Sequence, residues 1–241
     1  MPETVLFCKL KLMKKGIFIV GNDSALCRAV DAEAAKRADN YAISLIPNRF
    51  AAAQKQPVQT SEKRIFLEWN PSSPISARTL VIAAENRLET IDHALLVCAP
   101  PPILSAAGSG IKNNVADTPL ADIEIMINDH VKSWFFLVKE VAIAFANRKH
   151  GNLVLIFPDN TGSGKDEITD VLIPSALASF RALTNSLLSA AYNEPYTTMG
   201  FSCSDTGSEP AFASFIFKTI DEGNKRSSGK LHKFGKFSFF K

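Results

Sequence analysis

The chain alternates short apolar runs with longer stretches in which apolar residues recur every three to four positions. Ile17 to Val20 (IFIV), Tyr41 to Ile46 (YAISLI), Ala94 to Cys98 (ALLVC) and Asn152 to Phe157 (NLVLIF) are rich in branched residues and bounded by Gly, Pro or Asn. Such runs predict buried strands. Arg64 to Trp69, Thr197 to Cys203 and Lys230 to Phe240 predict three more. Between them lie helical patterns: Ala25 to Ala38, Arg49 to Gln56, Pro74 to Glu89, Leu120 to Arg148, Leu172 to Tyr192 and Glu209 to Glu222. Asn22, Asp23 and Ser24 are capping types ahead of the first helix, and Gly223-Asn224 stops the last. Strands alternating with helices predict an α/β chain, a doubly wound parallel sheet of seven strands with helices on both faces. Such sheets bind ligands at the carboxyl ends of their strands. No repeat or linker divides the chain, so one domain over residues 1–241 is expected, with 1–15 as a lead-in.

Composition narrows the class without choosing a function. Of 241 residues, 46% are hydrophobic and 21% charged, which excludes a disordered chain. With 27 basic against 24 acidic residues, the net charge of +3 gives no general pull toward nucleic acid or anionic membrane. The charge is uneven, however. Lys218 to Lys241 holds seven basic residues against Asp221 and Glu222, interleaved with Phe234, Phe237, Phe239 and Phe240. A solvated edge strand whose lysines discourage aggregation is the expectation, with a partner subunit to cover the phenylalanines. Cys8, Cys27, Cys98 and Cys203 are widely spaced, with no metal-ligand pattern, and are read as reduced thiols. No apolar run is long enough to span a membrane, and MPETVLFCKLKLMKK lacks the order of a signal peptide. A cytoplasmic protein is expected.

Three segments then carry a resemblance. IFIVGNDSALCRAVDAEAAKRA, MINDHVKSWFFLVKEVAIAFANRKHGNLVLIF and ALASFRALTNSLLSAA follow the order and spacing of the short-chain dehydrogenase/reductase family, and the likeness runs from Gly16 to about Gly229. It implies a Rossmann-like fold. The family's functional residues are another matter. In its turn T-G-x-x-x-G-x-G the glycines let backbone approach a pyrophosphate. Here Val20 stands for the Thr, Gly21 is kept, and Ala25 and Cys27 replace the other two glycines. The acidic residue after the third strand falls at Trp69 or Asn70, and N-N-A-G reads Val97-Cys98-Ala99-Pro100. The Asn of the long helix becomes His130. The catalytic Ser, Tyr and Lys positions fall at Pro158, Ile173 and Leu177. A phenol must donate a proton to the carbonyl and a Lys must lower its pKa; Ile and Leu do neither. Arg49, after the second strand, is the one further remnant, placed where relatives read an adenosine ribose or its 2′-phosphate.

The resemblance therefore implies a catalytically degenerate homologue, a non-catalytic subunit, scaffold or regulator with no cofactor. Its partners would be a second copy or an active paralogue, met through helices 120–148 and 172–192. Two other readings stay open. One is an atypical NAD- or NADP-dependent oxidoreductase using His130, Asp159 and Arg49; the other is a small-molecule sensor. Asp129-His130 with Asp159 could also form a hydrolytic pair, against a plain helix His satisfied by a backbone carbonyl. TGSGKD (161–166) lacks the first Gly and the final Ser or Thr of a phosphate loop and is read as surface loop. Ser175 and Ser179 are read as helix-surface or packing residues.

Overall fold

The computed structural model describes residues 15–49, 63–100, 116, 118–159, 171–205, 207–223 and 227–235. Strand β1 (Ile17–Asn22) leads into α1 (Ala25–Arg37), followed by β2 (Tyr41–Ile46), β3 (Arg64–Phe66), α2 (Pro74–Leu88) and β4 (His93–Val97). Then come α3 (Leu120–Ile127), a π turn (Asn128–Lys132) and α4 (Ser133–Arg148), which lead to β5 (Asn152–Pro158) and α5 (Leu172–Ala190). The chain closes with a 3-10 turn (Ala191–Asn193), β6 (Thr197–Cys203), α6 (Glu209–Asp221) and β7 (Lys230–Phe234). All seven strands are parallel, in the order β3-β2-β1-β4-β5-β6-β7. The chain reverses its direction of travel between β1 and β4, so a crevice opens at their carboxyl ends.

Two apolar layers hold the sheet. Leu80, Ala84, Trp134, Leu137, Val141, Leu177 and Phe180 bring α2, α4 and α5 onto one face. Leu26, Val30, Phe212, Ile216 and Phe217 bring α1 and α6 onto the other. The central strands bury both faces, which is why they read as continuous apolar runs rather than alternating ones.

The boundaries move for physical reasons. β1 extends through Gly21 and Asn22, pairing Gly21 with Leu45 and Val97. β3 stops at Phe66 instead of Trp69, because the Ser44 hydroxyl takes the Leu67 carbonyl (2.6 Å) and Asn70 turns the chain toward α2. The expected helix 120–148 is broken by the π turn at Asn128–Lys132, where the Ser133 hydroxyl donates to the Asp129 carbonyl (2.6 Å). One wide turn rotates Asp129 and His130 inward, a change that apolar periodicity cannot register. The expected helix 49–56 beyond Arg49, the loop 161–166 and the lead-in 1–14 lie outside the described residues. So do 236–241 of the basic tail. Within its described part, Phe234 is covered by Phe212 and Phe215 of the same chain, each with ring centroids 5.5 Å away.

Candidate functional site

At the mouth of the crevice, β1 ends and α1 begins. Ser24 caps α1, its hydroxyl accepting the Cys27 amide (3.1 Å). That amide is one of those a helix N-terminus offers to an anion, and here the chain consumes it. The Cys27 thiol lies against Gly21: a Cβ added at Gly21 would sit 2.7 Å from Cys27 Sγ. Gly21 thus meets a buried thiol and the Val97 side chain. Burial pushes the Cys27 pKa up to about 12, so the thiol is inert packing. Burial likewise raises that of Cys98.

Asn22 joins two walls of the crevice. Its Oδ1 accepts the Ala99 amide (3.1 Å) and its Nδ2 faces His130 Nδ1 (3.1 Å). An amide NH₂ can only donate, so His130 Nδ1 is the acceptor and its proton sits on Nε2. Burial drives the His130 pKa down to about 4, which keeps the ring neutral. The expected backbone carbonyl is not what holds His130 Nδ1; the Asn22 side chain is. Asn22, a capping type by sequence, leaves the cap to Ser24 and instead links β1 to Ala99 and His130.

Arg49 reaches across to the π turn. Its Nε lies 3.1 Å from Oδ2 of Asp129, whose side chain is fully buried, and the Ser72 hydroxyl donates to Asp129 Oδ1 (3.1 Å). This ties the end of β2 and the start of α2 to the π turn. Burial raises the Asp129 pKa, opposed by Arg49 and Ser72. Arg49→Ala leaves that carboxylate short of its cation, and a urea titration should show a loss of about 1–3 kcal/mol. Retention of wild-type stability would mean that the pair contributes nothing.

The remaining family positions are apolar in place as well as in sequence. Pro158 ends β5, paired with Cys203. Ile173 packs in the first turn of α5 in a cluster with Met126, Val131 and Ala176. Leu177, one turn on, is buried in the core that holds Trp134, Phe157 and Phe180. Asp159 is not joined to His130. It accepts from the Ser202 hydroxyl (2.8 Å), and Arg181 reaches its carbonyl and Oδ1 at 2.9 and 3.4 Å. The residues of the imagined hydrolytic pair thus engage separate partners. Ser175 is exposed and bonds back to the Val171 carbonyl, as a helix-surface residue.

A cleft of about 380 Å³ remains between the carboxyl ends of β1, β4, β5 and β6 and the first turns of α1 and α6. Pro158, Ala99, Leu26 and Phe212 wall it, with Asp23, Arg28, Asp205 and Glu209 at its polar side. Among the described residues, no group of acidic, His and Cys side chains could hold a metal ion. No described helix is long and apolar enough to cross a membrane.

An open, all-parallel sheet with helices on both faces and its crevice at the switch point defines a Rossmann-like α/β protein. More particularly, its fold is that of the short-chain dehydrogenase/reductases. The structure is similar to an NADH-dependent reductase, A1-R′, complexed with NAD (TM-score 0.67, 11% identity, covering 92% of this chain and 95% of that one). It is similar to the acetoin dehydrogenase YohF from Salmonella typhimurium (0.67, 14%, 92% and 94%). A double mutant of the Serratia marcescens short-chain dehydrogenase/reductase matches alike (0.65, 14%, 91% and 95%). No family model and no curated protein sequence matches the chain.

Proposed function

We propose that the chain is a catalytically degenerate short-chain dehydrogenase/reductase homologue, acting as a non-catalytic subunit, scaffold or regulator. One observation carries this reading. The positions aligned with the family's Ser, Tyr and Lys hold Pro158, Ile173 and Leu177, and the latter two are packed against apolar neighbours. No side chain at these three positions can donate or accept a proton, and general acid–base catalysis at a carbonyl needs one. The residues also fit a dinucleotide poorly. Cys27 fills the turn, Ser24 takes one helix-end amide, Arg49 is committed to Asp129, and the cleft carries Asp205 and Glu209 where phosphates would need positive charge.

Its surface supports a partner. Among the described residues, the exposed large apolar side chains, such as Ile82, Ile127, Phe135 and Ile143, sit on the α2–α5 side; none is on α1 or α6. α5 presents a run of small exposed residues beside them, Ser175, Ala178, Ala182 and Ser186. Large residues on α3 and α4 and small ones on α5 suit a helix-to-helix interface with a second copy or a paralogue that keeps the catalytic set.

Calorimetric titration with NADH and NADPH tests the reading. No heat of binding is expected at millimolar nucleotide. Micromolar binding of either would overturn it in favour of an atypical oxidoreductase.

A further inference from the structure

We draw no further inference here: the strongest candidate, the row of exposed apolar side chains at Ile75 and Ile82 on α2 and at Phe135 and Ile143 on α4, belongs to the partner face already described, and the exposed charges beside it have both signs (Arg78 and Lys139 against Glu89 and Glu124), so nothing in the structure shows what covers it.

Discussion

Between pH 6.5 and pH 4 the protein is expected to lose most of its stability, and two buried histidines are the main cause. His93 begins β4 and His130 sits on the π turn; both are nearly fully buried. Burial, joined at His93 by the Lys15 charge, lowers each pKa from its ordinary value to about 4. His93 Nδ1 lies 2.8 Å from Asn152 Nδ2, a donor, so this ring too is held neutral through an accepting nitrogen. A His whose folded pKa is depressed contributes stability that is complete above its unfolded pKa. That stability drains away as the pH falls toward the folded value. Each ring is therefore worth on the order of 3 kcal/mol between pH 7 and pH 4. Glu33, whose pKa is lowered by Lys36 and by Arg37, acts in the same direction in more acid solution. Asp129 opposes them, because its raised pKa makes protonation favour the folded state. Urea midpoints measured from pH 7.5 to 4.5 should fall steeply, and His93→Gln and His130→Asn should each remove about one proton from the slope. If neither substitution flattens the profile, the histidines are not what acid attacks.

Periodicity and strand composition were enough for the sheet, because a parallel sheet buries its central strands on both faces and leaves apolar runs such as NLVLIF in plain view. The same signal could not place Asp129 and His130. A π turn inserts one residue into a helix without changing which residue types recur, so the break at Asn128–Lys132 left no trace in the pattern. Arg49 shows the opposite problem. Its position after β2 is that of a ligand-reading residue, but its partner Asp129 is far along the chain, and only the folded contact shows the cation already committed. The empty catalytic positions were legible one by one, since Pro158, Ile173 and Leu177 carry no titratable group in any conformation. The cleft was not legible, because Asp23 of the β1–α1 turn meets Cys203, Asp205 and Glu209 of the β6–α6 turn only through the sheet order.

Gly21→Ala is expected to cost roughly 3 kcal/mol, the upper part of the range for overpacking a core. For a chain of this length that lowers the melting temperature by roughly 6–12 °C. The added Cβ would sit 2.7 Å from Cys27 Sγ, 3.0 Å from Val97 Cβ and 3.1 Å from the Val97 carbonyl oxygen. Strand pairing with both β2 and β4 fixes Gly21 from either side, so the backbone cannot retreat. A side chain can yield where a carbonyl cannot. Cys27→Ala should therefore restore part of the loss when combined with Gly21→Ala, although alone it costs about 1 kcal/mol through the void left at the thiol. The cycle also separates two reasons for a glycine at this position. A glycine kept so that phosphate can approach the backbone would show its loss in ligand affinity, with stability little changed and no dependence on residue 27. A glycine kept because a thiol occupies the turn shows its loss in stability, and its partner in the double mutant is Cys27. Additive effects of the two substitutions in thermal melts would sink the packing account and return Gly21 to the role its sequence position first implied.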